Sequence, residues 1–231
     1  MAMSLFAAMP FLILLSSACT DPDGRKEAAG EERGFSPQSY AEGDTLEPFP
    51  STALEAWFRF HRQADSGFRR GAFLASGINI PIDSLTLCPM PDTSTLQMMA
   101  PLLPWSPDSS RAIDIWSYGY QLRRSPTGAL ILEGGGPDQM VKLIDRSRAM
   151  AWQLLFNGPS QIVEAAGWPN RNAIVLGLLN IDPATGEATP DLVLMHLGDS
   201  MFTNFRYTGP RIRPHGQFTQ AWLRSQGILT E

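Results

Sequence analysis

Residues 141–159 and 192–210 align on one another without a gap, and that internal repeat constrains the fold more than any other feature of the chain. Leu143 falls opposite Leu194, Met150 opposite Met201, Leu154 opposite Phe205, Phe156 opposite Tyr207, and Gly158-Pro159 opposite Gly209-Pro210. Each copy reads as a strand, a turn at Arg146-Ser147 or Gly198-Asp199, and a second strand. Upstream, Trp105 before Arg111-Ala112-Ile113 parallels Trp168 before Asn172-Ala173-Ile174. A sequence that repeats a supersecondary unit builds its fold by repeating that unit. The units run over about 102–159 and 163–210, the first carrying an extra loop.

The rest of the body agrees with a β architecture. From Phe73 onward, short apolar runs alternate with Pro, Asp, Asn and Gly, the pattern of strands and turns. Nineteen prolines and twenty glycines suit many turns better than a helical bundle. Before them, Ser51 stands where an N-cap belongs, with Glu55 one turn in. Leu54, Trp57, Phe58 and His61 follow at helical spacing, so a helix is expected at about 51–64, packed on the sheet by Trp57 and Phe58. A second helix is expected near 217–226.

The stretch Trp105-Ser106-Pro107-Asp108-Ser109-Ser110-Arg111 favours a tight turn between paired strands. It resembles the blade motif of TolB-type and related WD-repeat β-propellers, over about a dozen residues. The resemblance implies a turn linking the innermost strand of a blade to the second. Two blades cannot close a propeller, which needs about four to eight. The expected fold is therefore mainly β: two blade-like antiparallel units forming an open, incomplete propeller-like pair, with an N-terminal and a C-terminal capping helix. An antiparallel sandwich with a chance likeness between its halves is the alternative.

The N-terminus carries a different signal. Residues 5–15 are an uncharged apolar run, shorter than the roughly 20 residues that span a bilayer and within the 7–15 of an export-signal core. Small residues follow, and Leu15-Ser16-Ser17-Ala18-Cys19 resembles the lipobox of bacterial lipoproteins. The family prefers Leu where Ser16 stands, and Met1 to Ser4 hold no Lys or Arg. The resemblance implies that residues 1–18 are a signal peptide, that the Cys19 thiol takes a diacylglyceryl group, and that cleavage precedes it. Each buried CH₂ contributes roughly 0.8 kcal/mol, so two or three acyl chains hold far longer than one. An ordinary signal peptide, or an apolar helix buried in the core, would also account for the run. Thr20 stands where Asp would signal inner-membrane retention, which by the same resemblance favours the outer membrane.

Residues 20–47 hold eight acids (Asp21, Asp23, Glu27, Glu31, Glu32, Glu42, Asp44, Glu47) against three bases (Arg25, Lys26, Arg33). That balance equals the −5 of the whole chain, so the remaining body is neutral. Such a polar segment cannot bury enough surface to offset its chain entropy, and 19–47 is expected to be a disordered tether carrying the lipid, with the β-rich domain at 48–231. A neutral body without a basic stripe disfavours nucleic acid as a partner. With Cys19 lipidated, Cys88 has no partner, and in Leu85-Thr86-Leu87-Cys88-Pro89 it reads as a buried thiol at a strand end.

Candidate chemistry is sparse. Gly198-Asp199-Ser200-Met201 invites comparison with the Gly-Asp-Ser motif of lipid hydrolases, but His215 has no Asp three residues before it. A nucleophile needs a base within hydrogen-bond reach and a group that orients that base. His61, His196 and His215 are far apart and lack metal-ligand spacing. Gly134-Gly135-Gly136-Pro137-Asp138 lacks the Lys-Ser/Thr of a phosphate loop and reads as the end of a loop between strands. Trp105, Trp116, Trp152 and Trp168 read as core, with a stacking platform for sugar or peptide as the second reading. The insertion at 117–138, with Tyr118, Tyr120, Arg123 and Arg124, is the binding surface the sequence favours, against the plain reading of a long hairpin.

These readings converge on an envelope lipoprotein anchored in the membrane through Cys19. It is expected to act as a non-catalytic binding or scaffold module for a protein or glycan, with no cofactor. The alternative is an envelope hydrolase using Ser200.

Overall fold

The computed structural model describes residues 40–81, 85–198, 201–213 and 218–230. Cys19, the signal segment, the tether up to residue 39, Asp199, Ser200 and His215 lie outside the described residues. The elements are α1 (Thr52–His61), β1 (Phe73–Pro81), β2 (Thr86–Cys88), α2 (Thr93–Met99), β3 (Arg111–Asp114), β4 (Tyr120–Arg124), β5 (Leu130–Gly134) and β6 (Gln139–Asp145). They continue with β7 (Met150–Asn157), β8 (Gln161–Asn170), β9 (Ala173–Ile181), β10 (Ala188–His196), β11 (Met201–Tyr207), α3 (Phe218–Ser225) and β12 (Ile228–Thr230).

The chain is mainly β, 44% strand against 16% helix, in three sheets of which none closes on itself. The five-stranded sheet runs β1-β11-β10-β9-β8, the four-stranded sheet β2-β7-β6-β3, and the three-stranded sheet β12-β5-β4. Pairing is antiparallel except for β12, which runs parallel to β5.

The repeat seen in the sequence corresponds to two hairpins with one turn register. Asp145 pairs with Met150 at the end of β6-β7, and His196 pairs with Met201 at the end of β10-β11. The registers then diverge at a bulge between Val141 and Lys142, which sets Val141 opposite Leu155. In the other copy Leu192 stays opposite Phe205, the counterpart of Leu154. Both sheets also recruit a strand from upstream onto the last strand of a meander: β1 joins β11, and β2 joins β7. The copies differ most between their middle strands. β3 reaches β6 through the β4-β5 hairpin, whereas β9 reaches β10 through a short turn around Asp182–Gly186.

The five-stranded sheet is buried on both faces, which explains why Ala173–Leu179 is an unbroken apolar run. Ile174, Leu176 and Leu178 point one way, into a cluster with Ile113, Val141, Ile144 and Leu132 of the other two sheets. Val175, Leu179, Leu192, Leu194 and Phe205 point the other way, against Trp57, Phe58, Phe68 and Phe73. Sheet facing sheet across a shared core is a sandwich-like arrangement. Ser51 caps α1 by accepting the Leu54 N–H at 3.4 Å. The Trp57 ring lies so close to β9 that a Cβ on Gly177 would stand 3.2 Å from it. α3 adds Leu223 to the first cluster and Phe218 to the second.

Two expectations need correction. The folded body starts by Tyr40, not at 48: Tyr40 and Leu46 are buried, Tyr40 meets the Phe205 ring edge-on, and Gly43 and Asp44 exchange backbone hydrogen bonds with Ala75. The acids of this segment face water and dominate its composition, while its two large apolar side chains reach the core. Between β2 and β3, where strands and turns were expected, lies α2. Asp92 caps it, its Oδ1 accepting the Thr95 N–H at 2.9 Å.

Candidate functional site

A strap of chain, Ala100 to Pro104, turns away from the end of α2, and three tryptophans hold it by alternate carbonyls. Trp105 Nε1 donates to Ala100 O at 3.1 Å, Trp116 Nε1 to Leu102 O at 3.3 Å, and Trp168 Nε1 to Pro104 O at 2.9 Å. The turn after Trp105 is locked by Asp108, whose Oδ1 accepts from the Ser106 hydroxyl and from both the hydroxyl and N–H of Ser110. These hydroxyl and amide donors hold the Asp108 carboxyl down at about 2. Ile113 N–H closes on Pro104 O at 3.1 Å, tying the strap to β3.

Between this strap, the start of α1, β8 and α3 lies a groove of about 530 Å³, within the usual size of small-ligand sites. Trp105, Trp116, Trp168 and Trp222 line it, with prolines from the strap and from Pro50 and Pro169. Arg146 already stacks on the Trp105 ring at 5.4 Å and Arg111 on Trp168 at 5.8 Å.

Glu164 is the ionisable side chain on this wall, among the described residues. It belongs to β8 but sits at a bulge: Val163 pairs with Leu178 and Ala165 with Gly177, so Glu164 is the extra residue. An inserted residue reverses the inside-outside alternation of a strand and re-aims a side chain. The Glu164 carboxylate, 6% exposed, thereby points between the sheet and α1. Its Oε2 accepts from Trp57 Nε1 and from His61 Nε2, each at 2.8 Å. Acceptance by a carboxylate fixes the proton of a neutral His61 on Nε2. Two donors on one oxygen offset much of the cost of burying a carboxylate. Its Oε1 accepts no hydrogen bond among the described residues.

The residues singled out in the 117–138 insertion lie on and before the β4-β5 hairpin, and none lines the groove. Tyr118 meets Phe156 edge-on, with ring centroids 5.4 Å apart. Tyr120 lies under Gly135, Arg123 pairs with Glu133 across the hairpin, and Arg124 donates to Gly128 O at 3.3 Å. Only Ile115 and Trp116, just ahead of the insertion, reach the groove. Gly134 and Gly135, both at positive φ, end β5; a Cβ on Gly134 would stand 2.6 Å from Gly119 O. Cys88 ends β2 half-buried, and burial pushes its thiol up against a smaller opposing pull from Lys142. Among the described residues no group of three or more His, Cys, Asp or Glu is placed to hold a metal, and no helix is long and apolar enough to cross a membrane.

Sequence reasoning missed Glu164. Its signal was a lone acid inside Ile162-Val163-Glu164-Ala165-Ala166, a charge that a buried strand tolerates only with a dedicated partner. Compared with known proteins, the chain matches no family, no curated relative and no solved structure.

Proposed function

We propose that this chain is a membrane-anchored envelope lipoprotein whose body is a non-catalytic binding module, with the tryptophan-lined groove as its ligand seat. The observation that carries this reading is the fixing of three indoles by backbone carbonyls of one strap. Their N–H groups are occupied, their rings cannot swing, and what they present to the groove is rigid aromatic surface. Preorganised surface of this kind lowers the ordering cost of binding. The lipobox-like Leu15–Cys19 string supplies the anchor, and the outer membrane the address. The two sheets are read as blade-like units from one repeated ancestor, on the strength of their shared turn register and upstream-recruited strands, with α1 and α3 as caps.

Photocrosslinking in intact cells tests the site. Benzoylphenylalanine replaces Gln226, an exposed residue on the groove wall, or Tyr120 on the hairpin. A defined adduct from position 226 and none from 120 is expected. An adduct from 120 alone would move the binding surface to the hairpin and overturn the assignment.

A further inference from the structure

We infer that the groove selects a small organic cation, an ammonium group carried on an apolar body. The inference rests on the groove being the ligand seat and adds the class of ligand. Its floor supplies the charge: the Glu164 carboxylate is more than nine-tenths buried, lies on the groove wall, and keeps Oε1 without a hydrogen bond among the described residues. A nearby positive charge stabilises a carboxylate held in so dry a setting, and a quaternary ammonium supplies that charge without an N–H.

The walls supply the rest. Indole faces carry the negative lobe of the ring quadrupole and attract cations. The molecule already uses two of these rings that way, with Arg146 over Trp105 and Arg111 over Trp168. Three of the four indole N–H groups on these walls, those of Trp105, Trp116 and Trp168, are occupied by the strap. An anion would meet the Glu164 carboxylate and the negative faces of the rings. An ammonium on an apolar body meets a carboxylate oxygen, aromatic faces and proline rings.

The test uses the full mature chain, isothermal calorimetry, choline, and its uncharged carbon isostere 3,3-dimethylbutan-1-ol. Choline is expected to bind more tightly than the isostere by roughly tenfold or more. Glu164→Gln is expected to bring choline down to the level of the alcohol. Trp222→Leu, which leaves Glu164 and its donors in place, is expected to weaken choline several-fold; it decides the matter together with the isostere if Glu164→Gln melts on purification. Equal binding of choline and the alcohol, or a Glu164→Gln chain with unchanged choline affinity, overturns the inference. If choline is inert and a glycan or peptide binds at the groove, the cation inference falls and the binding-module reading stands. If no ligand of any class binds there, both fall.

Discussion

His61 Nε2 stands 2.8 Å from Glu164 Oε2, although 103 residues separate the two in sequence. Both side chains are buried, and Trp57 shares the same carboxylate oxygen from one turn earlier on α1. This contact joins the N-terminal helix to the bulge of β8 at the wall of the groove. His61→Ala is expected to destabilise the chain by about 3 kcal/mol, since it removes one partner of a buried pair and leaves a cavity. Trp57→Phe, which removes the donor and replaces a fully buried indole by a smaller ring, is expected to cost about 1–3 kcal/mol. Urea unfolding measures both, and a loss below about 1 kcal/mol for His61→Ala would deny the contact its structural weight.

Helix α1 and strand β8 also meet where no side chain fits. A Cβ on Gly167 would stand 2.3 Å from Ser51 Oγ and 3.1 Å from Leu54 Cδ1. Gly167→Ala is therefore expected to cost about 1–3 kcal/mol through overpacking, whereas Gly158→Ala, with open space around it, serves as a near-neutral control. Ser51→Gly removes both the clash and the cap, so the double variant should lose less than the two single losses added together. Additive losses in a double-mutant cycle would contradict the close approach.

Asp108 gives the turn after Trp105 a pH signature. Its folded carboxyl is held at about 2 by the hydroxyl of Ser106 and the hydroxyl and N–H of Ser110, below the ordinary value near 4. A depressed acid contributes stability that is fully present above its unfolded pKa and lost as pH falls through the folded one. The wild-type chain should thus lose stability between about pH 4 and pH 2, and Asp108→Asn should lose less over that window. Parallel stability curves for the two chains would show that these hydrogen bonds do not hold the carboxylate.

The anchor is checked by metabolic labelling. Palmitate is expected to label the intact chain in bacterial cells, with Cys19→Ala unlabelled and released from the membrane fraction. Equal label in both would remove the lipoprotein reading and leave the groove to be explained without it.

What the sequence made legible was local. Ser51 and the spacing of Leu54, Trp57 and Phe58 announce α1 because a cap and an apolar face are written in neighbouring residues. The Asp108 turn is equally local, closed by side-chain hydrogen bonds inside Ser106–Arg111. The hairpin repeat was readable because both copies keep their turns at the same spacing. The groove was not readable, since it is made of register and distance. Glu164 points at α1 only because its strand gains one residue against β9, and no neighbour of Glu164 encodes that slip. The four indoles of the groove come from the strap end, the residue just ahead of the insertion, β8 and α3, and those of Trp105, Trp116 and Trp168 read on their own as core. The Tyr and Arg residues of the insertion drew notice by type, yet their partners lie mainly within and beside their own hairpin.

The most direct measurement is a ¹H–¹⁵N spectrum of the indole N–H groups in the mature chain, recorded during titration with a panel of envelope glycans, peptides and small ammonium compounds. At least one compound is expected to move the Trp105, Trp116, Trp168 and Trp222 signals saturably while Trp152, outside the groove, stays in place. A panel that leaves all four at rest, or a ligand that moves Trp152 alone, would contradict the assignment of the groove as the ligand seat.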